Sequence, residues 1–437
     1  MLANISLSNI LSFRDTQNLS MLASDSKKDD INPSNIQKIE DSEERVLKSA
    51  LIFGANASGK SNLIKAINIM KEIVLSSIPN IETSVTRSVI PYLLREESFE
   101  APSEIEMVFY VKNVKYRYGL SVRMGEIVEE WLYYTPQTRE TMLFERSGMS
   151  IDYNKSSFSE ANLFVKKGIL EKTRVDVPFI AVLSGFNGEH ATLVTDWFKN
   201  THVLNGITDS RYSTFTHSQI KNDPDFRAWL LKILKAFQIS DIKVVDEAGD
   251  PRLDNIDTSD DSMRKLVDSF KEFQKIKKIS RTDLVIVKKL DSHEVEFPLS
   301  LESEGTRKLI NILGPIYDAM MTGERLIIDE FDSKFHTLLS KHLFKIFHNE
   351  STQGCQIIAA VQDVNLMDTE CFRRDQVWFV DKDEEGASEL YSLVEYKEKS
   401  RTLKNSYGND YLEGAFGAIP LFNSFESIDQ LMGTDHE

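Results

Sequence analysis

The sequence predicts an α/β protein, and three stretches carry that expectation. Leu51-Ile52-Phe53 is a short apolar run that opens into 54-GANASGKS-61 and then a helical stripe of Leu63, Ala66, Ile67, Met70 and Val74, the order strand, loop, helix. Residues 104–134 alternate apolar and polar side chains, with turn signals at Lys112-Asn113 and Met124-Gly125, which predicts an antiparallel meander. Far downstream, 325-RLIIDEFD-332 is an apolar strand that ends in carboxylates.

The first stretch fits the P-loop pattern G-x-x-x-x-G-K-[ST] at every fixed position. Gly54 and Gly59 let the backbone through Ala55, Asn56, Ala57 and Ser58 turn tightly enough for successive N–H groups to face phosphate oxygens, and the positive end of the following helix adds to the attraction. Lys60 is placed to reach β- and γ-phosphates, and the Ser61 hydroxyl to ligate Mg²⁺. A Gly-rich turn without a ligand is the plain alternative; the flanking strand and helix weigh against it. Downstream of such a loop the Asp-Glu pair has the order of a Walker B segment: Asp329 would hold Mg²⁺ through its water shell and Glu330 would polarise an attacking water.

Length and composition set the frame. At 437 residues the chain suggests two or three lobes, and a hydrophobic share of 41% is enough for a sizeable core. The formal net charge of −16 argues against non-specific wrapping of nucleic acid over the whole surface, though not against a local basic groove. Cys355 and Cys371 lack metal-ligand spacing and read as reduced core thiols. No charged-then-apolar leader and no apolar run near 18 residues is present, so the expectation is a soluble, cytoplasmic protein without a membrane span.

Taken in order, residues 1–13 read as an edge strand or hairpin arm, and 15–45 as an exposed polar loop. Residues 156–240 turn helical, with Trp197, Phe198, Trp229, Leu230, Ile233, Leu234 and Phe237 at helix-like spacing, as expected of an insertion lobe with its own aromatic core. Charge then segregates: 241–263 hold eight acidic against two basic residues, and 264–289 nine basic against three acidic. The basic block, including Lys271, Lys275, Lys277, Lys278, Arg281, Lys288 and Lys289, reads by default as a solvated face and more sharply as a phosphate-backbone contact to DNA or RNA. A helix opening at 302-ESEGT-306, the carboxylate-tipped strand, and a strand at 356–361 ending in Gln362-Asp363 complete the expected domain. The resulting division is 1–155, 156–282, 283–400 and a tail, 401–437, whose Gly- and aromatic-rich segment 407-YGNDYLEGAFGAIP-420 has no derivable role.

With these pieces in place the chain resembles an ABC-type ATPase head of the SMC, RecF and OLD group, and most of all the bacterial AAA-fifteen ATP-binding proteins found beside nucleases in phage-defence loci. The marks are 54-GANASGKS-61, 302-ESEGT-306, 325-RLIIDEFD-332, 373-RRDQVWFVDKD-383 and the Gly-rich tail near Gly414. The resemblance implies an α/β ABC-type P-loop head with an antiparallel β subdomain and a helical insertion, using ATP and Mg²⁺. It implies that Ser303, Glu304, Gly305 and Thr306 form the signature that caps the γ-phosphate bound to the opposite subunit. Ser303 and Gly305, at an expected helix N-terminus, suit an anion. It also implies that Ser12 and Arg14 lie near the nucleotide, and that the Asp332 region forms a subunit-facing loop. Two departures bear on the hydrolysis rate rather than on binding. Gln362 stands where the family usually has a His γ-phosphate sensor, and a Gln can orient water but cannot become a cation. No Gln occurs between Ser61 and Pro136, so the usual glutamine loop has no counterpart there.

Three classes of function follow. The first is a slow ATP-dependent switch or clamp, a homodimer or larger homo-oligomer through shared ATP sites, regulating a nuclease-like effector in anti-phage defence or, alternatively, acting in SMC- or RecF-like DNA repair. The second is a small-molecule phosphotransferase; the span from Ser61 to Ser303 and the signature motif weigh against it. The third is a nucleotide-bound scaffold with negligible turnover that holds a toxin-like nuclease inactive, a reading Gln362 keeps open. No acidic or His cluster outside the ATP site has nuclease spacing.

Overall fold

The computed structural model describes all residues except 26–31, 41, 80–83, 167, 169–172, 207–209, 249–263, 266–267, 270–279, 291–292, 351–353, 397–406 and 420–437. The chain divides into two compact units, Met1–Asn205 with Thr322–Glu437, and Gly206–Met321.

In the first unit, seven strands form an antiparallel sheet: β1 (Leu2–Ser8), β2 (Gln17–Ser20), β6 (Ser103–Val111), β7 (Val114–Arg123), β8 (Glu126–Thr135), β9 (Thr141–Ser147) and β10 (Ser150–Tyr153), in the order β10-β9-β8-β7-β6-β1-β2. The two expected turns are there: Lys112 and Asn113 have φ of 49° and 64°, Met124 and Gly125 of 52° and 82°. Paired positive φ is what a two-residue hairpin needs to match the twist of its strands. β1 sits between β2 and β6 rather than at the edge, because the stretch after it is not a plain loop. Burial of Leu19 and Ile39 draws it into β2 and a small hairpin, β3 (Ile36–Lys38) with β4 (Arg45–Leu47).

The second sheet of this unit runs β11 (Thr201–Asn205), β15 (Arg325–Asp329), β16 (Gln356–Ala360), β5 (Ser49–Phe53), β17 (Val377–Lys382), β18 (Ser388–Ser392). The first five are parallel and β18 turns back antiparallel on β17. β5 is buried at all five positions, as a central parallel strand covered on both faces must be. Helix α1 (Lys60–Ser76) buries Leu63, Ile64, Ala66, Ile67, Met70, Ile73 and Val74, and one hydrophobic core joins it to both sheets. Trp197 and Phe198, on the helix Glu189–Lys199, belong to this core: Trp197 stacks on Phe109 of β6 at 4.1 Å between centroids. The helical run therefore starts before the second compact unit does, and the boundary expected at 156 falls inside the first unit.

The Gly- and aromatic-rich tail acquires a place. Tyr411 stacks on Phe379 at 5.4 Å and lies 6.4 Å from Phe53, Phe416 stacks on Phe379, and the Phe416 carbonyl accepts the hydroxyls of Tyr391 and Tyr396. This aromatic cluster packs against the strand that delivers the P-loop.

The second unit holds a three-stranded antiparallel sheet, β12 (Ile239–Ala248), β13 (Ser280–Leu290) and β14 (His293–Pro298), with the helices Ser210–Asn222, Pro224–Leu234 and Glu304–Thr322. Trp229, Phe226 and Tyr317 cluster within 5.0–6.3 Å of one another, a core of its own. Among the described residues no helix is long and apolar enough to cross a membrane.

Candidate nucleotide site

The P-loop leaves β5 at Phe53 and enters α1 at Lys60. Both glycines are required sterically. Gly54 has φ +152°, and a Cβ there would lie 2.2 Å from the Val380 carbonyl oxygen of β17. Gly59 has φ +125°, and its Cβ would lie 2.3 Å from Ser388 Oγ. Only glycine allows the loop to pass this close to its neighbours. Asn56, Ala57 and Ser61 are exposed while Ser58 is buried. Ala57 adopts a left-handed φ of 62°, a further tight point of the turn.

Lys60 folds back onto the loop. Its ammonium donates to the carbonyls of Gly54 at 2.6 Å and Ala55 at 3.0 Å. Burial lowers its pKa from the ordinary lysine value, opposed by the charges of Asp329, Asp332 and Glu330. A desolvated ammonium facing carboxylates inside a loop of this shape is a group that a phosphate would stabilise.

The facing carboxylates come from the end of β15, two strands along the sheet from β5. Asp329 is its last residue, and Glu330, half-buried, holds a left-handed φ of 52°. That conformation costs a non-glycine residue of order 1 kcal/mol or more and recurs at functional sites. Asp332 is buried, and its Oδ2 accepts the backbone N–H groups of Gln362 at 2.8 Å and Asp363 at 2.6 Å. Those residues follow β16, so the ends of β15 and β16 are tied together beside the loop. The Gln362 side chain is exposed. Sequence reasoning gave Asp332 no such role, and the residue types alone carry no signal for it.

The ATP cradle fits the residues present: glycines where a Cβ would clash, a desolvated lysine, an exposed serine hydroxyl at the start of a 17-residue helix, and a facing Asp-Glu pair. Among the described residues no group of three or more His, Cys, Asp or Glu side chains could hold a metal ion. Ser61 and Asp329 would hold Mg²⁺ together with phosphate oxygens, which is how this ion is commonly bound.

Ser12 and Arg14 follow β1. Ser12 Oγ accepts from Asn62 Nδ2 at 2.9 Å and lies 2.8 Å from Ser388 Oγ. Arg14 is engaged by carboxylates: it pairs with Asp15 at 2.7 Å, with Asp383 at 3.0 Å and with Glu385, and these raise its pKa above the usual guanidinium value. Asp383 and Glu385 lie on the turn between β17 and β18, whose acidic character was visible in the sequence but not its partner.

In the second unit, Ser303 is the N-cap of the helix Glu304–Thr322. Its Oγ accepts the Thr306 N–H at 3.1 Å and lies 2.9 Å from Thr306 Oγ1. Ser303 and Glu304 are exposed, Gly305 half-buried and Thr306 buried. Of the basic block, Lys271, Lys275, Lys277 and Lys278 lie outside the described residues, Arg281 is in β13, Lys289 is exposed, and Lys288 pairs with Glu302 at 2.7 Å. The two cysteines are free and buried, and burial pushes the Cys355 thiol up to about 12.

Three solved structures of SMC heads are similar to the chain. The "SMC head domain from Thermotoga maritima" matches with 14% identity and a TM-score of 0.40, covering 90% of this chain and 98% of that one. An SMC head bound to the C-terminal winged-helix domain of ScpA matches with 11% identity and a TM-score of 0.43, covering 90% and 97%. The Pyrococcus furiosus structure, an Smc head domain with an extended coiled coil bound to the C-terminal domain of ScpA, matches with 12% identity and a TM-score of 0.35, covering 90% and 96%. No curated protein matches the chain significantly. A family model described as "AAA domain, putative AbiEii toxin, Type IV TA system" matches residues 49–368, from the first residue of β5 past Gln362, and the chain belongs to this AAA-domain family.

Proposed function

We propose that this protein binds and slowly hydrolyses Mg·ATP, and that it works as a nucleotide-dependent switch or clamp controlling a nuclease-like effector in bacterial anti-phage defence. The observation that carries the ATPase part is the charge arrangement at the C-terminal ends of the parallel strands β5 and β15. Lys60 sits desolvated in a glycine-shaped loop and feels the carboxylates of Asp329, Glu330 and Asp332. Bound Mg·ATP supplies the anhydride bond and the charge neutralisation. The loop N–H groups and Lys60 hold phosphate oxygens, Ser61 and Asp329 hold the ion, Glu330 accepts a proton from water, and Gln362 orients that water.

The regulatory part rests on the resemblance to AAA-fifteen proteins and on the family description, which names a toxin of a type IV toxin–antitoxin system. Ser303, Glu304, Gly305 and Thr306 act on the nucleotide of a second copy, so the working form is a homodimer or a larger homo-oligomer in the cytoplasm. A second reading, an ATP-bound scaffold with negligible turnover, is favoured by Gln362, which offers no cation where negative charge spreads in the transition state.

The test is equilibrium binding and hydrolysis of ATP with and without Mg²⁺. The switch requires binding and measurable turnover, the scaffold requires binding alone, and absence of binding overturns both.

A further inference from the structure

A chain of hydrogen bonds outside the P-loop motif ends on the P-loop backbone. Ser388 is the first residue of β18 and is 1% exposed. Its Oγ lies 2.5 Å from the Ser58 carbonyl oxygen and 2.8 Å from Ser12 Oγ, and Ser12 Oγ lies 2.9 Å from Asn62 Nδ2. The backbone closes a second link, since the Ser388 N–H donates to the Ser12 carbonyl at 2.7 Å.

The contact with Ser58 has one direction. A carbonyl only accepts, so the one Ser388 hydroxyl proton goes to Ser58. Ser12 Oγ accepts from the Asn62 amide nitrogen and lies 2.8 Å away on the donor side of the same Ser388 hydroxyl, a second acceptor beside the Ser58 carbonyl. Asn62, Ser12, Ser388 and Ser58 are thus joined in that order as a relay, with the Ser388 hydroxyl held between two acceptors.

Its last member sets a peptide plane. In a trans peptide the C=O and the following N–H point in opposite directions. Holding the Ser58 carbonyl toward β18 therefore turns the Gly59 N–H away from β18, at a residue whose φ of +125° favours glycine. That N–H belongs to the P-loop cradle.

We propose that Ser388 is a positioning residue for nucleotide binding, which fixes the Ser58–Gly59 peptide, and that Ser12 acts through Ser388 rather than by touching the nucleotide. This rests on the ATP-binding reading above. Both residues lie far in sequence from the P-loop motif, Ser388 at a separation of 330 residues from Ser58.

The experiment measures Mg·ATP affinity, KM and kcat, and the melting temperature without nucleotide, for the full-length parent, Ser388→Ala, Ser12→Ala, the double variant and a Lys60→Ala control. Ser388→Ala is expected to weaken ATP binding about tenfold, the equivalent of about 1.4 kcal/mol, raising KM with kcat within about twofold. Ser12→Ala is expected to cost about threefold, and the double variant no more than Ser388→Ala alone, because the two act in series. Losses that multiply would give Ser12 its own contact and overturn the relay. A Ser388→Ala variant that melts lower yet binds ATP like the parent would reduce Ser388 to a structural role. If the parent binds and Lys60→Ala does not, an unaffected Ser388→Ala overturns this inference alone; if the parent does not bind, the ATP reading itself falls. Should Ser388→Ala fail to fold, Ser388→Thr against Ser388→Val compares two β-branched side chains of one shape that suit a strand and differ in the hydroxyl. Thr is expected to bind at least fivefold tighter than Val, and equal affinities overturn the proposal.

Discussion

Asp332 holds Gln362 by its backbone: one carboxylate oxygen accepts the Gln362 N–H at 2.8 Å and the neighbouring Asp363 N–H at 2.6 Å. Gln362, placed by the resemblance where a His is usual, is thus tied by its backbone to the segment that follows β15 and Glu330. Asp332→Ala leaves two backbone donors without their acceptor, at a cost of about 1–3 kcal/mol each where water does not replace it. Turnover is expected to fall at least tenfold while Mg·ATP affinity changes less than threefold. Equal losses in both, measured by single-turnover kinetics and equilibrium binding, would count against a role in placing Gln362.

Lys60→Ala removes the only side-chain cation of the P-loop segment 54–61. A charge-assisted phosphate contact of this kind is worth about 1.5–3 kcal/mol, so ATP affinity should drop at least tenfold. Unchanged affinity in a folded Lys60→Ala protein would reject the P-loop assignment.

Glu330→Gln keeps the size of the side chain and removes its capacity to accept a proton. The variant should still bind ATP, hydrolyse it at least a hundredfold more slowly, and sediment with ATP as a larger or longer-lived assembly. Hydrolysis at the parental rate would sink the part given to Glu330.

A buried histidine far from the loop gives a pH signature. His348 is 3% exposed, with its Nε2 2.8 Å from Ser49 Oγ, and Gln376 Nε2 also donates to that oxygen at 2.7 Å. The direction of the Ser49–His348 bond is set by the imidazole tautomer. Burial, and secondarily the Lys48 charge, lower the His348 pKa to about 3 from the ordinary 6.5. The unfolded chain then binds the proton first. The stability this site contributes is complete above pH 6.5 and is lost as pH falls toward 3, with a slope of at most about 1.4 kcal/mol per pH unit. Urea midpoints at pH 7.5 and pH 5 should diverge more for the parent than for His348→Gln. Parallel shifts in the two proteins would assign the acid sensitivity elsewhere.

What the sequence disclosed was local, and what it hid was long-range. The P-loop, the two-residue hairpin turns and the carboxylate-tipped strand are each written within a dozen residues, where residue type and spacing decide the backbone. Trp197 and Phe198 have helical spacing, but spacing cannot say which surface covers them, and they pack against β6 rather than within an insertion. The tail's aromatic cluster, the Asp332 clamp and the Ser388 relay join residues distant in sequence through partners whose types are common everywhere. Arg14 is the sharpest case: its approach to Asp383 and Glu385 depends on the loop after β1 meeting the β17–β18 turn, which no spacing rule encodes.

The riskiest expectation is that turnover needs two chains. Ser303 already caps its own helix, so Ser303→Arg removes a cap worth about 0.5–2 kcal/mol, and the variant must first be shown to stay folded. If 302-ESEGT-306 serves the nucleotide of a second copy, Ser303→Arg should abolish hydrolysis while leaving ATP affinity within about threefold of the parent, whereas Lys60→Ala should lose both. Mixing the two inactive proteins is then decisive. In each mixed pair one site is doubly damaged, while the other combines the intact P-loop of the Ser303→Arg chain with the intact signature of the Lys60→Ala chain. Random pairing of equal amounts makes half of all pairs mixed, so up to about a quarter of the parental activity should return if one composite site suffices. The returning activity should rise with total protein concentration, because it depends on association. Full activity from dilute parent shown to be monomeric by sedimentation would refute the shared site and return the mechanism to a single chain.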